Sequence, residues 1–350
     1  MSARTNPQVA STPTRLAAAA LALLAISGCG GDFRPSPRLS GGGSISPLTD
    51  DSERSESPVA SADGRWVAYG KREDKATRLI LTDTHTGKER VTTTSLSDYP
   101  ISMNSQASCV AFTSPDKAGA DHSWLWDLAN DKSAPIGPTT GSWEPDVSGD
   151  CQSVVFRAFK RGLQLLDRTN NSLITVAPES AEPAFHRISR DGRWVVYAEL
   201  GSNKVKLWNR GTSTSATLPV EGASSLGISE NGNIVLIGRS GKSAVVFDRT
   251  TKKLTHSPHA YTSVSLSADG STVFGAVDVP GNVASEHDNR SRIEQWDLAS
   301  TQVTVVTNDE SAISGWSPYA VSSSQVVFSG DDMTLPEPRP IRIWRWQSRD

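Results

Sequence analysis

The sequence has 350 residues, of which 36% are hydrophobic, 7% aromatic and 21% charged, with 27 Gly, 20 Pro and 3 Cys. Lys and Arg total 35 against 38 Asp and Glu, a net charge of −3, which excludes a nucleic-acid-binding protein because phosphate neutralisation needs a clear basic excess. Three cysteines are too few for a disulfide scaffold or a cysteine-rich metal module, and the composition is neither disordered nor multi-spanning.

At the N-terminus, residues 1–15 carry Arg4 and Arg15 and no acid, and Leu16 to Ile26 is an unbroken apolar run of 11 residues. Crossing hydrocarbon takes about 20 residues. A basic leader, a short apolar stretch and then small residues therefore describe a secretory signal over 1–28, not a spanning helix. The small residues end in Ile26-Ser27-Gly28-Cys29, which resembles the lipobox of bacterial lipoproteins. That resemblance implies that Cys29 is acylated after cleavage before it, so that the chain is held to a membrane through Cys29. Gly30, where Asp would favour inner-membrane retention, implies the periplasmic side of an outer membrane. Removing 1–28 leaves 33 basic and 38 acidic side chains, a net charge of −5. Residues 29–43 are rich in Gly, Pro and Ser and are expected to form a flexible tether.

From residue 44 to 350 the chain repeats. One recurring unit is a short apolar strand: Trp66-Val67-Ala68-Tyr69, Cys109-Val110-Ala111-Phe112, Val154-Val155-Phe156, Trp194-Val195-Val196-Tyr197, Ile234-Val235-Leu236-Ile237, Thr272-Val273-Phe274 and Val326-Val327-Phe328. A second unit follows each of these, with markers at residues 83, 127, 167, 209, 248, 297 and 345, at intervals of 39 to 49. Ser-x-Asp/Asn-Gly turns precede four of the apolar strands, at 61–64, 189–192, 229–232 and 267–270, and Asp-Gly and Asn-Gly supply the positive φ angles that tight hairpins need. Strands apolar at every position are covered on both faces, and 40–50 residues per four-stranded sheet is the period of a propeller. The expected fold is all-β: a seven-bladed β-propeller of four-stranded antiparallel blades. Its last unit ends on a third strand at 341–347, so residues 44–49 are expected to complete blade seven and close the ring.

The pattern of a Pro three residues before Ser-x-Asp-Gly, then an apolar strand and an aromatic-Asp strand, resembles the WD40-like repeat of the TolB-like family. Pro58/Ser61 and Pro145/Ser148 match it. Blades two, three and seven depart from it, carrying NSQA, SGDC and SSSQ in place of the turn, and no N-terminal α/β domain precedes the repeat. The resemblance implies a non-enzymatic binding module of the cell envelope.

The links between blades bring Tyr99, Trp143, Glu144, Glu182, Phe185, His186, Glu221, His259, Tyr261 and Trp316 towards one mouth of the central channel. Of these, Tyr99, Trp143, Glu144, Glu182, His259, Tyr261 and Trp316 are the candidate binding residues, because aromatic rings among carboxylates suit a sugar, a peptide or a basic segment. The same rings alternatively plug the channel and wedge adjacent blades together. No hydrolase elbow, zinc-protease, Cys-x-x-Cys or phosphate-loop motif is present, so no catalytic residue, metal or cofactor is assigned. His256 and His259 alone do not make a metal site. Cys109 and Cys151 precede neighbouring apolar strands and are either a disulfide or two buried thiols. Trp66, Trp126, Trp194, Trp208, Trp296 and Trp344 fall in the repeat strands and are expected in the core. The expected function is a lipid-anchored module binding an envelope protein, peptide or other ligand. The alternative is an envelope hydrolase or lyase acting on a glycan or lactone, with Glu144, Glu182 and Glu221 at the mouth.

Overall fold

A computed structural model describes residues 43–49, 54–73, 76–97, 100–279, 290–307, 313–333 and 341–348. The signal, Cys29, nearly all of the tether, Tyr99 and His287 lie outside the described residues. Seven four-stranded antiparallel sheets follow one another along the chain. In blades 1 to 6 the strands run in sequence order from the innermost, A, to the outermost, D; blade 3, for example, is Ser142–Val147, Ser153–Ala158, Gly162–Asp167 and Ser172–Ala177. Blade 7 takes its strands A to C from Ile313–Ser322, Gln325–Asp332 and Ile341–Gln347, and its outermost strand is Ser44–Pro47. Ile45 pairs with Trp346, and Leu48 N–H donates to the Ile343 carbonyl, 2.7 Å away. The architecture is a seven-bladed β-propeller.

The apolar strands are the reason for it. Successive residues of a strand face opposite sides, and here each side meets a different neighbouring blade. In blade 3, Val154 and Phe156 join a cluster with Ala111 and Leu125 of blade 2. The intervening Val155 joins Val195, Tyr197 and Trp208 of blade 4. All six residues of strand C in the same blade, Gly162–Asp167, are buried. Each of the seven blade-to-blade seams holds one such cluster, including the seam between blades 7 and 1, where Val327 and Ile343 meet Val67 and Ile80. Trp126, Trp208, Trp296 and Trp344 lie in these seams. Trp66 and Trp194 pack at the edges of the blade 1–2 and blade 4–5 clusters: each opens a strand B, is half-buried, and carries a guanidinium over its ring, Arg65 at 5.4 Å and Arg249 at 4.2 Å.

The A–B turns lock neighbouring blades together. In the Ser-x-Asp-Gly turns the serine hydroxyl accepts from the N–H that opens strand B, and the Asp or Asn accepts from the preceding N–H. Blades 2 and 3 lack the glycine but keep the geometry. Ala107 (φ 49°) and Cys151 (φ 60°) take the left-handed position, with Asn104 accepting from Ser108 and Cys109, and Ser148 from Ser153. That left-handed residue sits against the first residue of strand B in the preceding blade. A Cβ on Gly232 would lie 2.3 Å from Trp194 Cδ1, one on Gly270 2.9 Å from Ile234, and one on Gly64 2.5 Å from Gln325. At the blade 2–3 seam the same two positions are Cys109 and Cys151, and they form a disulfide with a Cα–Cα distance of 6.4 Å. The two-residue offset that separates the cysteines in the repeat alignment is the offset between these contact positions.

Two outcomes test this construction. Gly232→Ala, which adds a clash to a left-handed backbone, is expected to lower stability by about 1–3 kcal/mol more than Gly241→Ala, since Gly241 is equally left-handed (φ 65°) with nothing within 4 Å of its added Cβ. Equal melting temperatures for the two variants refute the packing argument. Cys109→Ser is expected to cost about 2–4 kcal/mol, read as a shift of the urea midpoint, with reductant shifting the wild type to the same extent.

Candidate functional site

The inner strands line a central cavity of about 1380 Å³. On the side of the A–B turns, backbone bonds knit neighbouring blades: Ala62 N–H to Ser105 O, Gly149 to Arg190, Asp191 to Glu230 and Glu230 to Ala268, at 2.7–3.1 Å. The opposite side, where the B–C turns and inter-blade links emerge, is the loop face.

Near the loop face, four inner strands break their register. The breaks fall at Glu56/Val59, Trp143/Asp146, Ala184/Arg187 and Trp316/Tyr319. Each contains one left-handed residue: Ser57, Glu144, Phe185 or Ser317. These are β-bulges, whose extra residue is unpaired and re-aims its neighbours. Pro58, Pro145 and Pro318 follow three of them, a place where a missing N–H costs the ladder nothing. The Pro of the sequence pattern therefore marks a bulge. Bulge N–H groups reach across the seams to Ser329, Thr113 and Ser263 hydroxyls at 3.0–3.3 Å. In blade 4 His186 stands in the proline's place, and its Nε2–H donates to the Glu144 carbonyl of the blade 3 bulge, 2.6 Å away.

The structure separates the candidate residues into groups. Trp143 and Glu144 share blade 3 with Arg157, whose guanidinium lies 5.3 Å from the Trp143 ring centre and 3.9 Å from the Glu144 carboxylate. Glu144 lines the cavity; burial raises its pKa, while Arg157 and Arg187 oppose the rise. Glu182 is the left-handed residue closing a single 3-10 turn, Glu179–Ala181, and its carbonyl accepts from Leu200 N–H. Glu221 is exposed at the end of the blade 4 outer strand. Neither shares the cavity with Glu144. Trp316 is half-buried beside the blade 7 bulge and does not line the cavity. Tyr261 does not reach the channel: it is 3% exposed in the blade 5–6 seam, and a Cβ on Gly275 would fall 2.4 Å from its ring.

His259 belongs to a cluster that sequence reasoning missed. Its Nδ1 lies 2.7 Å from a carboxylate oxygen of Glu294, which is 0% exposed, and Arg292 holds the other oxygen at 2.7 Å. Burial and Glu294 together push the Tyr261 hydroxyl well above the usual tyrosine range. The interrupted alternation in Arg-Ile-Glu-Gln-Trp-Asp (292–297), a Glu inside a buried strand C, was the available signal. Among the described residues no three His, Cys, Asp or Glu side chains converge as a metal site requires.

The cavity wall is not acidic. Arg54, Arg72, Arg187 and Arg190 line it with Glu56, Glu144 and Asp146. The Asp146 carboxylate is engaged, accepting from Ser102 Oγ at 2.6 Å and Ile188 N–H at 2.8 Å, and so pins three inner strands together.

His186 is 1% exposed, and burial, with Arg187 and Arg157 adding to it, lowers its pKa to about 3. Its folded pKa is thus below that of the unfolded chain. The stability it contributes is complete above about pH 6.5 and is lost as pH falls, by about 1.4 kcal/mol per pH unit. Urea unfolding between pH 6.5 and 5 should show that slope, and His186→Gln should flatten it; a variant with the wild-type slope overturns the assignment.

No family model matches the chain, and no curated protein matches it in sequence. Solved structures match its shape. An oligogalacturonate lyase from Vibrio parahaemolyticus is 13% identical with a TM-score of 0.63, over 87% of this chain and 93% of that one. The Swd1 β-propeller domain from Myceliophteria thermophila is 13% identical with a TM-score of 0.59, over 86% and 99%. TolB from Acinetobacter baumannii is 19% identical with a TM-score of 0.49 over 60% of this chain, which spans 55% of that protein's length. The chain shares the propeller fold of an enzyme and of a WD40-type domain.

Proposed function

We propose that this chain is an exported, lipid-anchored propeller that binds an envelope protein or peptide on its loop face without catalysing a reaction. The observation that carries the reading is where its exposed apolar side chains gather. Phe159, Phe185 and Leu200, at 48%, 39% and 51% exposure, all lie on the loop side of blades 3 and 4. Phe159 and Leu200 are in the B–C turns, and Phe185 is in the bulge between them. Backbone bonds fasten these turns to the inter-blade links, Phe159 N–H to Gly141 O and Leu200 N–H to Glu182 O. The patch is therefore held in place beside Trp143 and the cavity mouth. Scattered surface apolar residues need no explanation, but a gathered set held on fixed turns marks a docking surface. Cys29 supplies the anchor in this reading. The tether after it, at about 5–6 Å × √n for n residues, gives the ring roughly 20 Å of play from the membrane surface.

A second reading, a hydrolase or lyase acting on a glycan or lactone, has one observation in its favour. Buried Glu294 orients the half-exposed His259 as a carboxylate orients a general base.

Capture from envelope membranes with the full chain separates the readings. The triple variant Phe159→Ala/Phe185→Ala/Leu200→Ala should recover a specific partner at least about tenfold less well than Val91→Ala/Leu173→Ala, a control on outer strands. Equal recovery overturns the docking reading. Loss of turnover on a panel of acidic glycans in His259→Gln, where wild type shows turnover, replaces it with the enzymatic one. Metabolic labelling with radioactive palmitate should mark the wild type and not Cys29→Ser.

A further inference from the structure

We propose that the central cavity contains a carboxylate-binding site built from Arg187 and Arg190 of blade 4 and the Tyr319 hydroxyl of blade 7. The proposal deepens the loop-face binding reading and rests on it only for the source of the carboxylate, a partner's acidic group or a free small acid.

The three side chains line one cavity. Arg190 is the second residue of the blade 4 turn, and its carbonyl is fixed by Gly149 N–H at 2.8 Å. Among the described residues its guanidinium has no hydrogen-bond or ion-pair partner. The equivalent positions in blades 1, 2, 3 and 6 are Ala62, Ser105, Gly149 and Ala268, small residues that leave the lumen open around it. Arg187 uses one nitrogen, Nη1, on the His186 carbonyl at 2.8 Å, which leaves the rest of its fork. Tyr319 approaches from the other wall. Its ring packs against the clusters at the seams of blades 7–1 and 1–2, and Arg190, Asp146 and Arg187 are the charged groups that act on its hydroxyl.

Charge and shape then select the ligand. Around the hydroxyl two guanidiniums stand against Asp146, already occupied by Ser102 and Ile188, while Glu144, which Arg187 also reaches, is countered by Arg157, so one positive charge is left in excess. A monoanion balances the excess, whereas a phosphate dianion overshoots it. A planar carboxylate also accepts two parallel N–H bonds from a guanidinium fork and an O–H bond from a phenol.

The test titrates the full chain, in mild detergent, with sodium acetate at an ionic strength held constant with chloride, following bound acetate by NMR saturation transfer. Acetate should bind the wild type with a Kd on the order of millimolar, about 4 kcal/mol. Arg190→Gln should weaken binding at least tenfold. Arg190→Lys, which keeps the charge and loses the fork, should not restore it, and Tyr319→Phe should weaken it about threefold. Glu230→Gln, at the matching turn position of blade 5, should leave it unchanged. Melting temperatures without acetate establish that each variant is folded. Wild-type affinity in folded Arg190→Gln, or tighter binding of inorganic phosphate than of acetate, overturns the site. Loss of acetate binding and of partner capture together in Arg190→Gln assigns the carboxylate to the partner, and loss of acetate binding alone assigns it to a small acid. Acetate binding that survives in the Phe159/Phe185/Leu200 variant while capture is lost supports the site apart from the docking surface.

Discussion

Each middle strand of this ring must be covered on both faces, and the covering comes from two different neighbours. Val154 and Phe156 face blade 2 while Val155 between them faces blade 4. A fully buried side chain of this kind contributes about 1.5–3 kcal/mol, but only while both neighbours are present. A single blade, with apolar residues on each side, cannot be stable in water. The seam between blades 7 and 1 is therefore as necessary as the other six, and the pairing of Ser44–Pro47 with the last strand follows from the same demand. The repeat is a statement about seams more than about sheets.

The turns obey the seams too. A left-handed residue at the A–B turn is required by the hairpin, but its small size is required by the preceding blade, whose first strand-B side chain lies against it. Trp194 over Gly232 and Ile234 over Gly270 are two solutions. The disulfide between Cys109 and Cys151 is a third, in which the contact becomes covalent. This explains why Ala107 and Cys151 accept left-handed backbones that would otherwise favour glycine: the backbone hydrogen bonds that Asn104 and Ser148 accept from Ser108 and Ser153 fix the turn whatever the residue.

The blade count and the strand order within blades 1 to 6 were legible, because each depends on residues within about 50 of one another along the chain. What the sequence hid depends on the neighbour across a seam. Tyr261 reads as a channel residue from its place in a link, yet Gly275 of the next blade gives its ring a slot and draws it inward. Pro58 and Pro145 read as part of the repeat pattern, and only the broken registers reveal that they, and Pro318, follow bulges in which Ser57, Glu144 and Ser317 take left-handed geometry. Glu294 sits in a strand whose pattern gives no hint that His259, 35 residues earlier, will face it. The acidic excess of the whole chain likewise misleads about the cavity, whose wall gathers arginines from blades 1 and 4.

Rigidity is the link between the seams and the chemistry. The bulged inner strands present their side chains from walls fixed by Asp146, which ties blades 2, 3 and 4 together, and by His186, which ties the bulges of blades 3 and 4. A group held on such a wall cannot relax towards solvent or towards an opposite charge. An arginine left without a partner on a mobile loop would simply extend into water, at little cost. Arg190 projects from a turn whose carbonyl is itself bound by Gly149 of the preceding blade, so its guanidinium is presented to the lumen from a fixed point, where an anion brought to it finds the charge already in place. Preorganisation of this kind needs no motif in the sequence, because the fold supplies the geometry and one side chain supplies the charge.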